Sequence, residues 1–374
     1  MTEDEPRKTA RPSRAPRELP DHPIRLALLD LLAEEGTVTA TEAAARLGHS
    51  SGLCSFHLRQ LARHGLVEEA PHSGGGRGGP RPWRLRWEDP RVAVAGAAQR
   101  EGGGPGPYGT GMDPEHTDAY LRRIGAARPA AADAAALREL HRRHLVSVPF
   151  ENLSIHLGED IVLTEDALVG KILKGRGGFC YELNGAFAAL LRSLGFGVEL
   201  LAARGFGDGG RLGPPYDHMA LRVTGADGSG PWLADVGFGR HSTFPLDYAS
   251  RAEQQDPGGC FRVAEAADGD LDVLHDGTAA YRLEQRPREL GDFAATCWYQ
   301  RSFPGSYFRR SLVCSRLTEE GGRTTLSGRT LVLTDGEGRR EERELGEDEV
   351  LPAYREHFGI TLGREPVAVR AAQV

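Results

Sequence analysis

Residues 176–185 read RGGFCYELNG, and the role of the cysteine in this stretch sets the class of protein. From Leu183 onward, apolar residues recur with helical spacing as far as Gly195, so a helix is predicted to begin at or just after Cys180. The unpaired N–H groups and the dipole at a helix N-terminus stabilise an anion, which favours a thiolate. The alternative is a cysteine packed as a small buried apolar residue.

Two glycines precede the cysteine. Gly177 and Gly178 allow the chain to turn sharply, because glycine has no Cβ. The same property lets another group approach closely. We therefore expect the two glycines to make room for another group beside the sulfur of Cys180, with the turn as a secondary benefit.

A thiolate nucleophile needs a base, and the base needs a group that orients it. His218 stands at the start of an apparent strand in HMALRV, and Asp235 ends another in PWLADVGFG. Adjacent strands would bring imidazole and carboxylate together, in the chain order Cys–His–Asp. A buried structural histidine bonded to Asp235 is the alternative for this pair.

The motifs RGGFCYELNG, HMALRV and LADVGFG resemble three successive signatures of the arylamine N-acetyltransferase family. DAYLRRIG, HRRHLVSVPFENL and CSRLTEEGGRTTLSGRTLVLT also follow the family's order, so the resemblance runs from about residue 113 to 365. It implies an α+β fold with three lobes: a helical lobe that holds the cysteine, a β-barrel lobe and an α/β lobe. It also implies that Cys180 is the acyl-accepting nucleophile, His218 its base and Asp235 the orienter of the imidazole.

The resemblance implies a ping-pong reaction with acetyl-CoA as co-substrate. The group that Gly177 and Gly178 admit beside the sulfur would then be the thioester of acetyl-CoA. Cys180 and His218 would rest as a thiolate–imidazolium pair, and an acetyl-cysteine would pass its acetyl group to an arylamine or arylhydrazine. An amide synthase that uses another acyl donor is a close alternative. The sequence shows no metal-ligand constellation, so no metal is expected.

Other residues near these motifs are candidates for substrate contacts. Phe150, Phe179 and Phe238 are predicted to line the acceptor pocket, with ordinary core packing as the alternative. The resemblance places Pro214 and Pro215 beside the CoA channel, although proline does not itself bind phosphate.

Three further polar residues are assigned structural roles. Glu151 and Arg176 are predicted to form a buried ion pair that braces the cysteine loop. Asn184 lies four residues after Cys180, on the same helix face, and is expected to fix the loop through local hydrogen bonds.

The front of the chain has a different pattern. Residues 21–88 predict two short helices, a basic-polar helix and two strands around a glycine-rich tip, with Thr41 as an N-cap. The string SFHLRQLARHGLVEE resembles the winged helix-turn-helix of ArsR-like regulators. In that helix Leu53, Leu58 and Leu61 are expected to face inward.

The winged-helix resemblance implies binding of duplex DNA, with residues 51–64 in a major groove. The expected DNA-binding residues are His57, Arg59, Gln60 and Arg63 on the helix and Arg77, Arg81, Arg84 and Arg86 on the wing. The alternative is a module used only for protein contacts or dimerisation. Cys54 is expected to be a packed residue and not a metal ligand or redox sensor.

Composition divides the 374-residue chain into four parts: a disordered leader 1–20, the DNA-binding domain 21–88, a Gly/Pro/Ala-rich linker 89–112 and the transferase-like domain 113–374. The charges of the first 111 residues nearly cancel, while the remainder carries a net charge of −8. The whole chain is therefore not expected to be a polyanion binder, and the two parts are expected to differ in function.

The five cysteines are scattered, with no CxxC, which indicates a reducing cytoplasm. The charged N-terminus is not a signal peptide, and no apolar run suffices for a membrane span. A homodimer is expected if the winged helix reads a two-fold operator. A regulator that senses aromatic amines through its transferase-like domain is the alternative from another functional class.

Overall fold

The computed structural model describes residues 23–63, 67–70, 81–85, 112–240 and 242–368. The chain divides into two compact units, Met1–Gly104 and Pro105–Val374. Each unit has at least one hydrophobic core of its own.

The first unit contains three helices and three short strands among its described residues. They are α1 (Pro23–Glu35), β1 (Thr37–Thr39), α2 (Ala40–Leu47), α3 (Ser51–Arg63), β2 (Val67–Glu69) and β3 (Pro82–Leu85). The strands form an antiparallel sheet in the order β1-β3-β2. This arrangement is a helix-turn-helix followed by two strands of a wing.

The start of α2 differs from the sequence prediction. Thr39, and not Thr41, is the N-cap, because its hydroxyl accepts from the Glu42 backbone N–H while the Glu42 carboxylate accepts from the Thr39 N–H. This reciprocal capping box satisfies two N–H groups at once. A lone threonine at position 41 lacks that partner.

The inward face of α3 also differs from the prediction. Leu53 is 37% exposed, whereas His57 is only 5% exposed. The buried stripe begins one residue later, at Cys54, and continues through Leu58 and Leu61. The spacing of 54, 58 and 61 places His57 beside this stripe and turns Leu53 away from it.

The second unit contains the remaining described helices. They are α4 (Pro114–Ile124), α5 (Ala134–Ser147), α6 (Leu153–Leu157), α7 (Glu165–Leu173), α8 (Cys180–Ser193), α9 (Ala294–Ser302), α10 (Tyr307–Arg310) and α11 (Val350–Phe358). Every residue of α8 from Cys180 to Leu191 is buried. A helix buried all round is the centre of a core rather than its cover, so α8 fixes the position of its first residue.

An antiparallel sheet of eight strands follows α8 in the chain. Its order is β8 (Leu246–Asp247), β7 (Trp232–Ala234), β6 (His218–Thr224), β5 (Gly197–Gly205), β12 (Thr278–Arg288), β11 (Leu271–His275), β10 (Gly259–Glu265) and β9 (Gln254–Asp256). The Gln254 side chain donates to the Asp247 carbonyl and accepts from the Asp247 N–H, so it joins the two edge strands. The sheet is therefore nearly a closed barrel.

A five-stranded antiparallel sheet completes the unit, in the order β16 (Arg340–Glu344), β15 (Thr330–Thr334), β14 (Arg323–Ser327), β13 (Val313–Leu317) and β4 (Phe150–Glu151). Helix α11 shares a hydrophobic core with it. The edge strand β4 comes from the helical part of the chain, so the sheet ties that part to the C-terminal strands. The architecture is α+β, as the sequence predicts.

Two histidines are sealed inside the second unit, and they make its stability depend on pH. Burial lowers the pKa of His144 to about 3 and also lowers the pKa of His141. A histidine in the unfolded chain has a pKa of about 6.5, so between the folded and the unfolded pKa the unfolded chain binds more protons than the folded chain does. The contribution of these two histidines to the free energy of unfolding is therefore fully present above the unfolded pKa. It is lost as the pH falls towards the folded pKa.

We expect the melting temperature of this unit to decrease as the pH is lowered from about 6.5 to about 3. His144→Gln should make this decrease smaller, because glutamine does not titrate. Thermal unfolding followed by circular dichroism at a series of pH values measures both slopes. The exposed His116→Gln is the matched control. Equal slopes for His144→Gln and the unmodified chain contradict the prediction.

Candidate active site

Cys180 is the first residue of α8 and is 3% exposed. Its helix end is braced by Glu182, whose carboxylate accepts a hydrogen bond from the Phe179 backbone N–H at 3.2 Å. A glutamate at the third helical position that reaches back to the cap residue is one half of a capping box. The sulfur is thus held at a fixed helix N-terminus.

Gly177 and Gly178 have a different role from the one predicted. A Cβ on Gly177 would lie 1.8 Å from the Pro149 carbonyl oxygen, and a Cβ on Gly178 would lie 2.5 Å from the Glu182 Cβ. Both glycines therefore allow protein segments to pack closely. The expectation that they make room for a thioester was wrong, because their free side is already filled by the chain.

Residues at the start of β6 contact the sulfur of Cys180. The Cys180 Sγ lies 3.8 Å from the Asp217 carbonyl oxygen, to which it donates, and the Met219 backbone N–H interacts with the same sulfur. The Tyr181 hydroxyl donates to the Asp217 carbonyl as well, at 3.1 Å. His218 lies between these two contact residues, so its backbone is held at the thiol.

Burial raises the pKa of the Cys180 thiol well above its usual range, and the Asp217 carboxylate raises it further. The Met219 N–H lowers the pKa of the thiol, but it does not outweigh burial. A thiolate without a cationic neighbour is therefore disfavoured here. The thiol needs a base close at hand to lose its proton.

His218 and Asp235 form a buried pair. The His218 Nε2 lies 2.7 Å from the Asp235 Oδ2, and both side chains are almost fully enclosed. With Nε2–H donating to the carboxylate, Nδ1 is left as the proton acceptor of the ring. The ring of Tyr281 lies 5.1 Å from the His218 ring, and its hydroxyl interacts with Asp235.

Asn184 links three segments of the site. Its Nδ2 donates to the Asp235 Oδ1 at 2.9 Å and to the Met219 carbonyl at 2.6 Å, and its Oδ1 accepts from the Val236 N–H at 3.0 Å. One amide on α8 therefore positions the carboxylate and the strand that carries His218. Asn184 therefore forms hydrogen bonds, as predicted, but its partners lie 35 to 52 residues away in the chain and not in the cysteine loop, so the predicted local role is wrong.

His141 is a second buried histidine at the site, and sequence reasoning did not single it out. Its Nε2 accepts from the Asp235 backbone N–H at 3.2 Å, and its Nδ1 lies 2.9 Å from the Thr243 carbonyl oxygen. Only a neutral ring with the proton on Nδ1 satisfies both contacts. The motif HRRHLVSVPFENL contains it, but the pairing crosses 94 residues and has no local signal.

The candidate aromatic residues occupy different surroundings. The Phe238 ring lies 5.0 Å from the His218 ring, and Phe150 is half-buried, on an isolated bridge to Gly178. Phe179 is fully buried, with its ring 5.2 Å from that of Phe308. Phe238 and Phe150 therefore remain available to line a pocket, whereas the ring of Phe179 is enclosed in the core.

Pro214 and Pro215 lie in the loop between β5 and β6. Pro214 is half-buried and Pro215 is exposed. The Pro215 carbonyl accepts a hydrogen bond from the Thr296 hydroxyl at 2.8 Å, which ties the loop to α9.

A buried ion network supports the cysteine loop. Arg176 donates to the Glu151 carboxylate at 3.0 Å, which confirms the predicted ion pair. Lys171, which the sequence analysis did not single out, lies 2.5 Å from Glu182 and 3.9 Å from Glu151. Burial raises the pKa of Glu151, but Lys171 and Arg176 outweigh it and leave that pKa below its ordinary value.

Removing the acid at the centre of this network should destabilise the fold. Glu151→Gln removes the carboxylate that Lys171 and Arg176 share, but Lys171 keeps Glu182 and Arg176 keeps Glu159 as partners. We therefore expect the free energy of unfolding to fall by about 1–3 kcal/mol. Urea unfolding followed by fluorescence measures the loss. Glu139→Gln, which breaks the more exposed pair with Arg143, is the control and should cost much less, because exposed ion pairs contribute little to stability. Equal losses contradict the prediction.

The candidate DNA-binding residues are distributed over the first unit. Arg59 is exposed on α3 and Gln60 is half-buried. His57 was predicted to face outward, but it is buried because it flanks the core stripe of α3. Arg77, Arg86 and the side chain of Arg63 lie outside the described part of the chain.

Two wing arginines are paired within the sheet. Arg81 contacts Glu69 at 2.6 Å and Arg84 contacts Glu68 at 2.5 Å, all on exposed surface. Exposed pairs of this kind contribute little to stability. They reduce the positive charge that the wing presents.

Within the described residues, no cluster of three or more His, Cys, Asp or Glu side chains could hold a metal ion. The described helices also include none long and apolar enough to cross a membrane.

Comparison with known proteins extends these observations. The N-acetyltransferase family profile matches residues 133–367, and a helix-turn-helix domain profile matches residues 21–70. Arylamine N-acetyltransferase of Escherichia coli is 32% identical over 247 residues, covering 64% of this chain and 87% of the relative. The Mycolicibacterium smegmatis enzyme is 32% identical over 267 residues, covering 68% and 96%.

Solved structures agree with the sequence relatives. The M. smegmatis arylamine N-acetyltransferase structure matches with a TM-score of 0.62 and 33% identity, covering 70% of this chain and 98% of that one. The Mycobacterium marinum enzyme in complex with CoA matches with a TM-score of 0.60 and 29% identity, covering 65% and 92%. This chain belongs to the arylamine N-acetyltransferase family and is an acyltransferase, with a helix-turn-helix domain at its front.

Proposed function

We propose that the protein transfers an acetyl group from acetyl-CoA to an arylamine or arylhydrazine through an acetyl-Cys180 intermediate. The observation that carries the proposal is the buried His218–Asp235 contact of 2.7 Å, next to strand residues that touch the Cys180 sulfur. This arrangement provides a nucleophile, a base and an orienter of the base, in the roles that nucleophilic catalysis requires.

In the first half-reaction, His218 Nδ1 takes the thiol proton as the sulfur attacks the thioester carbonyl. The sulfur–carbonyl bond of acetyl-CoA breaks, and the CoA sulfur leaves with the proton from the imidazolium. Because burial raises the pKa of Cys180, the proton moves to His218 during attack, and a resting thiolate is not required. Asp235 stabilises the imidazolium that forms.

In the second half-reaction, the amine nitrogen attacks the acetyl-cysteine carbonyl and His218 accepts the nitrogen's proton. The bond between the carbonyl carbon and the Cys180 sulfur breaks, and the sulfur regains a proton. An aniline nitrogen is weakly basic, so it is unprotonated and nucleophilic near neutral pH. Phe238, against the His218 ring, and the half-buried Phe150 would contact its aromatic ring.

Acetyl-CoA as donor is supported by the related M. marinum enzyme, whose structure contains CoA. Pro214 and Pro215 are proposed to border the path of its pantetheine arm. An amide synthase with a longer acyl donor uses the same three residues and is the second candidate.

Incubation of the purified protein with acetyl-CoA alone, followed by intact mass spectrometry, tests this proposal. We expect a single acetyl adduct that forms with release of one CoA thiol, and that disappears when free acetyl-CoA is removed and an arylhydrazine is added. An adduct only with a longer acyl-CoA favours the amide synthase. No adduct with any donor overturns both.

We propose that the winged helix binds duplex DNA, with α3 in the major groove and Arg59 among its contacts. Support comes from the helix-turn-helix match and from the exposure of Arg59 on α3. The protein would then combine an enzyme with a DNA-binding domain. A regulator that senses aromatic amines through its transferase-like domain is an alternative in which turnover is absent.

Selection from a random duplex library with the full-length chain, followed by binding at moderate salt, tests the DNA proposal. Arg59→Ala should weaken binding to the selected duplex, whereas Arg122→Ala, exposed in the other unit, should not. The DNA proposal is overturned if no duplex is enriched, or if the unmodified chain, Arg59→Ala and Arg122→Ala bind the selected duplex with equal affinity. A selected two-fold repeat would support a homodimer.

The proposed domain boundaries are 21–88 for the DNA-binding domain, 89–112 for a linker and 113–374 for the transferase. Within the transferase we propose three lobes. They are the helices up to α8, the eight-stranded sheet that is nearly a closed barrel, and the C-terminal five-stranded sheet with α11. Five cysteines without a disulfide support a reducing, cytoplasmic setting.

A further inference from the structure

The short segment 215–217, which leads into β6, is held against α8 at the candidate nucleophile. The Tyr181 hydroxyl donates to the Tyr216 carbonyl at 2.7 Å and to the Asp217 carbonyl at 3.1 Å. The Asp217 carbonyl also accepts from the Cys180 thiol, at 3.8 Å. His218 is the next residue in the chain, so the position of this segment decides how the imidazole lies relative to the thiol.

The backbone of this segment is strained. Tyr216 has a φ of 61°, in the left-handed region. A residue with a Cβ seldom adopts that conformation, and it persists only where the surrounding contacts hold it. The segment would therefore relax to another conformation if contacts that hold it were removed.

Helix α9 supplies two further contacts to the segment. The Thr296 hydroxyl donates to the Pro215 carbonyl at 2.8 Å, and the Gln300 Nε2 donates to the Asp217 Oδ1 at 2.5 Å. Residues four apart share one face of a helix, so a single face of α9 holds both ends of the segment. These contacts cross 81 and 83 residues of sequence.

The side chain of Gln300 is fixed from both sides. Gln300 is only 5% exposed, and its Oε1 accepts a hydrogen bond from the Ser306 hydroxyl at 2.6 Å. Because a carboxylate accepts hydrogen bonds, the amide has to turn its NH₂ group to Asp217 and its oxygen to Ser306. Ser306 is itself buried as the N-cap of α10. The amide therefore has one orientation that satisfies both neighbours.

The Asp217 carboxylate is also held through its second oxygen. The Gly205 N–H donates to this carboxylate, and a Cβ on Gly205 would lie 3.4 Å from Oδ2. A Cβ on Gly213 would lie 2.5 Å from the same oxygen. The carboxylate therefore fills the space between the loop that joins β5 to β6 and helix α9, and it connects the two.

We propose that Gln300 is a positioning residue for acyl transfer, which holds Asp217 so that its backbone carbonyl stays at the Cys180 thiol and the neighbouring imidazole stays within reach of the thiol proton. The inference rests on the proposed transfer function and adds a residue outside the catalytic set. Gln300 acts through Asp217 and not by contact with the reacting atoms. Relaxation of the segment would misalign base and nucleophile, which slows attack without weakening the binding of acetyl-CoA.

Reversing the hydrogen bond between the two side chains tests this inference, with the rate constant of single-turnover acetylation in the full-length protein as the readout. Gln300→Glu sets a carboxylate against Asp217 and should lower this rate constant about tenfold, while the half-saturating concentration of acetyl-CoA stays unchanged. Asp217→Asn sets an N–H group against either the Gln300 NH₂ or the Gly205 N–H, so it should also lower the rate constant.

The two substitutions together restore the contact with its direction reversed, because the new amide at position 217 donates to the new carboxylate at position 300. The Ser306 hydroxyl and the Gly205 N–H then both keep an acceptor. We expect the double variant to acetylate within about threefold of the rate constant of the unmodified chain. Gln255→Glu, which makes the same change at an exposed glutamine on β9, is the matched control and should leave the rate constant unchanged.

Thr296→Val removes the donor to the Pro215 carbonyl and should lower the same rate constant severalfold. It decides the question if thermal unfolding shows that Gln300→Glu does not fold, and an unchanged rate constant would then contradict the inference. The inference is also overturned if a folded Gln300→Glu keeps its rate constant, if it loses only affinity for acetyl-CoA, or if the double variant recovers nothing. An unmodified chain that forms no acetyl adduct overturns the proposed function first.

Discussion

Substituting Cys180 by alanine should eliminate the acetyl adduct and lower kcat/KM at least about a thousandfold, because the residue that forms the covalent intermediate is removed. This loss of kcat/KM should exceed the loss caused by substituting any other single cysteine with alanine. Alanine should keep the fold, because the Asp217 carbonyl that the thiol contacts retains its hydrogen bond from the Tyr181 hydroxyl. Intact mass after exposure to acetyl-CoA and steady-state assays with an arylhydrazine measure the two effects.

Cys297→Ala is the matched control, because Cys297 is another buried thiol of the same unit. It should retain the adduct and turnover. The proposed nucleophile is wrong if Cys180→Ala still becomes acetylated, or if acetylation moves to Cys297. Thermal unfolding of both variants separates lost chemistry from lost folding.

Asp235→Asn should lower kcat by about 10⁴-fold while the fold is kept. Asp235 accepts from Asn184 and from the Gly237 N–H through one oxygen and faces His218 through the other. An asparagine that keeps its oxygen towards Asn184 presents its NH₂ group to the His218 Nε2. The ring must then carry its proton on Nδ1, where it cannot accept the thiol proton.

Asp227→Asn, in an exposed turn, is the control and should change kcat little, since asparagine preserves an acceptor for the Ser229 N–H. A second readout is the pH profile of single-turnover acetylation. If the wrong tautomer causes the loss, alkaline pH should recover activity by raising the thiolate fraction without the base. A loss below about tenfold would show that Asp235 is only structural.

The sequence motifs locate the site because each has a local physical signature. Cys180 begins a helix with continuous apolar spacing, and His218 begins a strand with alternating residues, so their elements follow from short-range patterns. The buried Glu151–Arg176 pair was also predictable, since both residues stand beside the same loop. The anchoring role of His141 was not, because it depends on a contact between α5 and the end of β7.

The errors have a related cause. Leu53 is exposed and His57 is buried, the opposite of the prediction. The buried stripe of α3 depends on which residues the neighbouring helices cover, and a shift of one position rotates the whole buried face. The expectation for Gly177 and Gly178 rests on their own conformational freedom. Their actual neighbours, Pro149 and Glu182, come from packing that no local pattern contains.

The amino-acid sequence indicates the family, the α+β class and the candidate catalytic residues, since motifs and periodicity are properties of neighbouring residues. The folded chain sets everything that depends on contacts distant in sequence. Burial raises the pKa of Cys180, Asn184 ties α8 to two strands, and β4 places Phe150 in the C-terminal sheet beside Ser315. Desolvation and long-range hydrogen bonds arise only when the core closes, so these properties appear only in the folded protein.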